Sequence, residues 1–198
     1  MSRSRQAEHH LRAFGMSGLL ISEELRKVED RFNISLGREA AGQRGAHLAA
    51  YPQFEAAIQA EATGMSQHYE LFYCLEKSIR KLIAETLTDA DAGSWWESKR
   101  VPEKIRGDVH TRIQRELDSG VTRRSDDAID YTTFGELSVI ITGNWDLFET
   151  VFNSRRGVEK VMASLNMLRG PIAHCCLITD DEIDRLHLTV RDWFRIMG

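Results

Sequence analysis

Apolar side chains recur at helical spacing through the last two thirds of the chain, and this periodicity constrains the fold more than any other feature. One stretch carries Phe72, Leu75, Ile79, Leu82 and Ile83, and a later one carries Ile183, Leu186, Val190, Trp193 and Met197. Both sets follow the three- and four-residue steps that place side chains on one face of an α-helix. Proline, which interrupts helices, occurs only three times in 198 residues. The sequence therefore predicts an all-α fold without a β-sheet.

The same periodicity sets the expected helix boundaries. We predict helices over residues 67–87, 102–117, 133–152, 156–168 and 180–197. Thr133 and Glu136 have the spacing of a capping box, which satisfies free amides at a helix N-terminus. Gly170-Pro171 is expected to end the fourth of these helices, because proline breaks the ladder of backbone hydrogen bonds.

The first third of the chain is less periodic than the rest and is rich in glycine and alanine. Gly64 and Ser66 are expected to end a helix that opens at Pro52. We therefore predict two regions. Residues 1–65 form an N-terminal helical extension, and residues 66–198 form a helical bundle of four to five helices.

Charge and cysteine usage exclude several classes of protein. The net charge is −4 and neither half of the chain is strongly basic, which argues against nonspecific coating of nucleic acid but leaves open a local basic site on an acidic body. The three cysteines, two of them adjacent, exclude a disulfide framework, and without a CxxC pair we expect no metal site. No apolar run approaches the ~20 residues of a membrane helix, and the polar N-terminus lacks the apolar stretch of a signal peptide. We therefore expect a cytoplasmic protein with no membrane contact and no cofactor.

One short segment carries the residues of a recognisable motif. Arg169 and His174 are separated by four residues, in an Arg-x4-His arrangement between two amphipathic helices. The flanking stretches are HYELFYCLE at 68–76, Trp95-Trp96, Val101-Pro102, YTTFGEL at 131–137, Asn144-Trp145 and LRGPIAHC at 168–175. In these residues the chain resembles the HEPN domain family, in the subtype attached to a PIN-domain nuclear mRNA-surveillance endonuclease and also found in bacterial proteins. The resemblance covers about residues 66–198. The spacing alone has little weight, because Arg5 and His10 share it outside that region.

The resemblance implies a metal-independent endoribonuclease. In this family a ribose 2′-OH attacks the neighbouring phosphate and leaves a 2′,3′-cyclic phosphate. Arg169 is then the cation that holds the phosphate, since its planar fork binds two oxygens. His174 is the general acid or base, because imidazole exchanges protons near neutral pH. The resemblance further implies an RNA substrate, a homodimer that brings two motifs together, and a role as a toxin or antiviral effector.

Supporting residues follow from the same resemblance. The family often has a polar residue directly after the arginine, where this chain has Gly170. Asn166, one helical turn before Arg169, offers a polar group on the same face. Glu76 and Arg80 match polar positions of the family's first helix and are expected to orient His174.

Two further groups are candidates for contact with RNA. Arg155 and Arg156 precede a helix, where the helix dipole disfavours cations, so a phosphate contact is one interpretation and a solvated turn is the other. The Trp95-Trp96 pair fits either base stacking or a plug at one end of the bundle.

A structural interpretation stands beside the catalytic one. Arg169 fits a cation that satisfies carbonyls at a helix C-terminus, and Glu76–Arg80 fits an ordinary solvated pair four residues apart. The alternative function is a non-catalytic HEPN module that dimerises or docks onto a partner protein, such as an ATPase or a nucleotidyltransferase antitoxin. A solvent-accessible cleft shared by Arg169 and His174 would favour catalysis.

Overall fold

The computed structural model describes residues 53–91 and 95–197. Six α-helices follow one another in this part of the chain: α1 Ala56–Ala90, α2 Glu103–Asp118, α3 Phe134–Gly143, α4 Trp145–Phe148, α5 Arg155–Ala173 and α6 Asp180–Ile196. Two short 3-10 helices, η1 Trp95–Glu97 and η2 Ala128–Tyr131, lie in the connections. No β-strand occurs in the described ranges, so the predicted all-α fold is confirmed. Most of the predicted extension over 1–65 lies outside the described residues.

Helix α1 is longer than expected, with 35 residues. The predicted break at Gly64 and Ser66 is wrong, because the helix passes through both positions. Glycine in a helix interior costs about 1 kcal/mol, which a long helix with a buried face can tolerate. The Ser66 hydroxyl donates to the Thr63 carbonyl at 2.8 Å and so satisfies itself within the helix. The contacts within the chain set Ala56–Gly198 apart as one compact unit.

The core forms where α1, α3, α5 and α6 bury their apolar faces. Helix α3 packs on α1 and α5, and α6 packs on α5. Fully buried side chains lie on each of these helices, on α4 and in the segment after it, and they include Ile79, Ile83, Leu87, Leu137, Ile140, Ile141, Phe148, Phe152, Val158, Leu165 and Leu186. Most of the predicted periodic positions therefore face the core.

Helix α3 begins at the predicted capping box and ends earlier than expected. The Thr133 hydroxyl accepts from the Glu136 amide at 3.3 Å, and the Glu136 carboxylate accepts from the Thr133 amide at 2.6 Å. The predicted helix 133–152 is two helices, because the chain leaves helical geometry at Asn144. The buried Asn144 amide donates to the carbonyls of Ile140 and Arg100, both at 2.8 Å, and so stabilises the break.

Helix α5 continues past the point where we expected it to end. The prediction that Gly170-Pro171 stops this helix is wrong, since α5 runs to Ala173 with Pro171 inside its last turn. A residue before proline is normally pushed out of helical geometry by a clash that involves its Cβ. Gly170 has no Cβ, which relieves that clash. The helix ends in a left-handed residue, Cys175 with φ 55°, and the Cys176 amide donates to the Pro171 carbonyl at 2.9 Å.

In the described part of the chain, none of the helices is both long and apolar enough to span a membrane.

Candidate functional site

A single carboxylate links helix α1 to helix α5. Glu76 on α1 accepts a hydrogen bond from Arg80, one turn further along, at 2.5 Å. Its other oxygen accepts from the Nε of Arg169 on α5 at 3.0 Å, across 93 residues of sequence. Two positive charges therefore share one negative charge, which leaves this group with a net charge of +1.

Arg80 is the fixed member of this group. It is only 7% exposed, and its guanidinium donates to the carbonyls of Ile129 and Thr132 and to the Thr132 hydroxyl. Buried charges are tolerated when hydrogen bonds and an opposite charge compensate for lost water. The carbonyls come from η2 and the residue after it, so this connection holds Arg80 in place and Arg80 in turn holds Glu76. The interpretation of Glu76–Arg80 as a solvated pair is therefore wrong.

Arg169 is the accessible member. Its side chain is 39% exposed, and only its Nε is committed to Glu76. Among the described residues, neither terminal nitrogen of Arg169 has a hydrogen-bond partner. A guanidinium held by one edge presents its remaining donors to a ligand, and that geometry suits two oxygens of a phosphate.

Arg169 lines a cleft of about 560 Å³. Five cations and two carboxylates contribute to its walls: Lys77, Arg80, Arg112, Arg124 and Arg169, with Glu76 and Asp130. Five positive against two negative charges give the lining an excess of three positive charges, in a chain whose net charge is −4. A concave site with such an excess concentrates anions.

Carboxylates behind the wall orient the outer cations. Arg112 forms a two-pronged pair with Glu136, with nitrogen-to-oxygen distances of 2.8 and 2.9 Å. The guanidinium carbon of Arg124 lies 4.9 Å from the centre of the Tyr131 ring, and Arg124 also pairs with Glu116. These contacts reduce the free positive charge of the wall and hold its guanidinium groups in place.

The same contacts shift the titration of the wall. The hydrogen bond from Arg112 to Glu136 raises the pKa of Arg112 against the effect of burial. Burial raises the pKa of Asp130, but hydrogen bonds from Ser125 and Lys77 outweigh it and lower the pKa below its usual value. Both groups therefore stay charged across the neutral range.

His174 occupies a different position from the one we expected. It caps the C-terminus of α5, where its amide donates to the carbonyls of Gly170 at 3.1 Å and Pro171 at 3.3 Å. Its side chain is exposed and does not line the cleft, although the preceding Ala173 does. Glu76 and Arg80 hold Arg169, whereas we expected them to orient His174. The physical reason is helical geometry, since five residues place His174 about 140° around the helix from Arg169.

The other predicted residues lie outside the cleft. Asn166 is exposed on α5 and does not line it, so it does not replace the polar group that Gly170 lacks. Arg155 and Arg156 are exposed in the first turn of α5, fourteen and thirteen residues from Arg169, or about 20 Å along the axis. Arg155 pairs with Glu159 at 3.5 Å.

The tryptophan pair packs against the hydrophobic core. Trp95 and Trp96 are partly buried against the core, with ring centres 5.5 Å apart in an edge-to-face arrangement. This packing supports the interpretation of the pair as a plug.

Across residues 53–91 and 95–197, no three His, Cys, Asp or Glu side chains are grouped closely enough to hold a metal ion.

Sequence reasoning missed most of the cleft wall. Lys77 was readable as a cation on the same exposed stripe of α1 as Tyr69 and Tyr73, at four-residue steps. Arg112 and Arg124 carried no such signal, because Arg112 lies on α2 and Arg124 in the connection to α3, and only the packing of these segments brings both to the cleft.

A family model matches the part of the chain that carries this site. The family model described as Swt1-like HEPN matches residues 70–198, which include Glu76, Arg80, Arg169 and His174. Neither the curated proteins nor the solved structures contain a significant match to this chain. The match covers more than half of the chain and the helical fold agrees with it, so this protein belongs to the Swt1-like HEPN family.

Proposed function

We propose that this protein is an endoribonuclease of the HEPN type, with Arg169 as its phosphate-binding residue. The observation that carries the proposal is the Arg80–Glu76–Arg169 group, which has a net charge of +1 and leaves the terminal nitrogens of Arg169 without a hydrogen-bond partner among the described residues. If Arg169 only stabilised the end of its own helix, it would not require a carboxylate that a buried second arginine, Arg80, holds in place. The excess of cations along the cleft supports an anionic ligand.

The proposed reaction uses only the RNA and side chains of this protein. A base removes the proton from a ribose 2′-OH, whose oxygen then bonds to the adjacent phosphorus. The bond from phosphorus to the 5′-oxygen breaks, and an acid returns a proton to that oxygen. The products are a 2′,3′-cyclic phosphate and a 5′-OH. Arg169 stabilises the extra negative charge on the phosphate oxygens as they pass through five-coordinate geometry.

We assign the base and acid to His174 residues from two copies of the chain. Within one chain His174 is exposed and lies outside the cleft that Arg169 lines. A twofold axis near the C-terminus of α5 would bring both motifs together, and twofold dimers are the commonest assemblies. The proposed active form is therefore a homodimer, with residues 165–176 of the two copies facing each other.

The decisive experiment compares cleavage of single-stranded RNA by the parent and by His174→Ala. General acid–base groups contribute about a hundredfold or more to rate, so we expect at least that loss. The matched control is His110→Ala, which removes an exposed histidine from α2 and should leave cleavage unchanged. Equal rates for the parent and His174→Ala would contradict the proposal.

A second comparison tests the phosphate-binding role. Arg169→Ala should abolish cleavage, and Arg169→Lys should restore little of it, because an ammonium cannot make the two parallel bonds of a guanidinium. Arg191→Ala, on the exposed face of α6, is the matched control. Cleavage should persist in EDTA, and a requirement for added magnesium would contradict the metal-independent mechanism.

The alternative proposal is a non-catalytic module that docks onto a partner protein such as an ATPase or an antitoxin. Two observations favour it: His174 lies outside the cleft, and an apolar groove of about 340 Å³ lies between α1 and the end of α5. Its walls include Ile58, Met65 and Leu177. Parent protein that leaves total RNA intact, at any concentration at which it dimerises, would favour this function.

The biological setting is also a proposal. Cleavage of cellular RNA would suit a toxin or an antiviral effector, whose activity has to be restrained by a partner. The free and exposed thiols of Cys74, Cys175 and Cys176 suit the reducing conditions of the cytoplasm. Growth arrest on expression of the parent, absent with His174→Ala, is the expected result.

A further inference from the structure

Two neighbouring aromatic rings stand exposed on the wall of the cationic cleft. Tyr69 and Tyr73 lie one turn apart on α1 and are 60% and 55% exposed. Their ring centres are 6.1 Å apart, and the ring planes are tilted by 34°, so the two rings do not stack on each other. Both line the cleft that Arg169 lines. In the described part of the chain, neither hydroxyl makes a hydrogen bond.

The position of these rings relative to Arg169 is set by helix α1. Tyr73 precedes Glu76 by three residues, and Tyr69 precedes it by seven, which are about 4.5 Å and about 10.5 Å along the axis. Glu76 holds Arg169 by its Nε at 3.0 Å. The two rings therefore lie on the same wall of the cleft as the Arg169 guanidinium. Lys77, four residues after Tyr73, extends the same row of cleft-lining side chains on α1.

We propose that Tyr69 and Tyr73 form a platform on which unpaired bases stack next to the phosphate held by Arg169. This inference rests on the proposed function and specifies its substrate as single-stranded RNA. Every base has a flat face, so aromatic rings bind bases without strong sequence preference. In a duplex those faces are covered by neighbouring base pairs, and A-form RNA offers its grooves and backbone instead.

The surroundings of the rings distinguish this role from simple packing. Phe72, between them in sequence, is buried and contacts Phe134 with ring centres 5.3 Å apart, so the core at this point is complete without the tyrosines. Tyr131, across the cleft, is buried beneath Arg124. Of the aromatic side chains that line this cleft in the described part of the chain, Tyr69 and Tyr73 are the exposed ones. Flat rings beside guanidinium groups match the alternation of bases and phosphates in a single strand.

The test measures binding of a short, labelled 2′-O-methyl RNA, which lacks the attacking hydroxyl and stays intact. Tyr73→Leu should weaken binding by about 5-fold to about 150-fold, the range expected for one stacked base. Tyr73→Phe keeps the ring and should bind as tightly as the parent. The matched control is Phe194→Leu, which removes a 60% exposed ring from α6 and should change nothing. The same RNA annealed to its complement should bind the parent more weakly than the single strand.

The outcomes separate this inference from the proposed function. Unchanged binding by Tyr73→Leu, together with loss of cleavage in Arg169→Ala, would overturn the platform and leave the nuclease intact. A parent that cleaves no RNA would overturn the proposed function itself. Sedimentation of Tyr73→Leu adds a further check. If Tyr73→Leu is a monomer while Tyr73→Phe remains a dimer, the rings bind a second copy of the chain, and this result would also overturn the platform.

Discussion

Replacement of Glu76 by glutamine tests the electrostatic arrangement of the site most directly. Glu76→Gln keeps the shape of the side chain and removes its charge. Arg80 and Arg169 bond to different carboxylate oxygens, and glutamine has an NH2 group, which cannot accept, in place of one of them, so one of the two arginines loses its acceptor. Arg80 is 7% exposed and forms no other ion pair among the described residues, although the charge of Asp130 also acts on it, so the loss of charge falls chiefly on a buried guanidinium.

The expected magnitude follows from what Arg80 retains. Removing one partner of a buried ion pair typically costs about 3–5 kcal/mol, because the remaining charge is left uncompensated. Arg80 keeps its bonds to the carbonyls of Ile129 and Thr132 and to the Thr132 hydroxyl, which lowers the cost. We expect Glu76→Gln to lower the free energy of unfolding by about 2–3 kcal/mol, the range of a hydrogen bond to a charged group.

Arg169 should behave differently, because its side chain is 39% exposed. A pair of that exposure contributes about 0–1 kcal/mol, since water and salt screen it. Arg169→Ala should therefore leave stability nearly unchanged while it abolishes cleavage. That contrast, if measured, would separate a structural role of Arg80 from a functional role of Arg169, although both contact the same carboxylate.

Urea unfolding followed by circular dichroism measures both effects. With a slope of about 2 kcal/mol per molar urea, the expected loss for Glu76→Gln moves the midpoint by about 1 M. A double-mutant cycle should give a larger coupling for Glu76 with Arg80 than for Glu76 with Arg169. Glu159→Gln, which breaks an exposed pair with Arg155, is the matched control and should move the midpoint little. A midpoint for Glu76→Gln equal to that of the control would refute the reasoning, as would equal couplings.

Three further predictions concern stability. Burial lowers the pKa of His68 from 6.5, and the charge of His187 lowers it further. The folded state therefore binds fewer protons than the unfolded state, and the free energy of unfolding should fall as the pH drops below 6.5. His68→Gln should flatten this fall between pH 7.5 and 5.5. Burial raises the pKa of Glu136, but hydrogen bonds outweigh it and hold the pKa below 4.5, so Glu136→Gln should cost about 1–3 kcal/mol at pH 7, a loss that shrinks as the pH falls through and below 4.5. Cys175 has φ 55°, so Cys175→Gly should raise the unfolding free energy by about 0.5–1 kcal/mol, whereas the same change at Cys176 should not. Urea midpoints at the stated pH values check all three predictions. The first is contradicted if His68→Gln leaves the pH profile unchanged, and the second if the loss of stability in Glu136→Gln does not depend on pH. The third is contradicted if Cys175→Gly is less stable than the parent.

The sequence alone was sufficient for the features that depend on neighbouring residues. Helical periodicity identified the long helices and most of the core, because the buried face of a helix repeats every three to four residues. The capping box of Thr133 and Glu136 was readable for the same reason, since both partners lie within one turn. The motif of Arg169 and His174, with its flanking residues, led to the family that the match over 70–198 establishes.

Local signals were misleading where tertiary packing or a compensating neighbour overrode them. Gly64 and Ser66 lie inside α1, because a single glycine's cost is small beside the burial of a 35-residue helix. Proline at 171 lies inside α5, because glycine at 170 removes part of the clash that normally ends a helix. Each signal has a local cost of only a few kcal/mol, and packing can exceed it.

Only the tertiary structure decided which residues form the site. Glu76 and Arg169 are 93 residues apart in the chain, and their contact depends on how α1 and α5 pack rather than on any spacing. The burial of Arg80 depends on hydrogen bonds to carbonyl groups of η2 and of the residue after it, which lie far from Arg80 in sequence. The separation of His174 from the cleft depends on how far α5 continues and on the turn of about 140° that five helical residues produce. Periodicity determines which face of a helix is buried, but the packing of helices distant in sequence determines which charges meet.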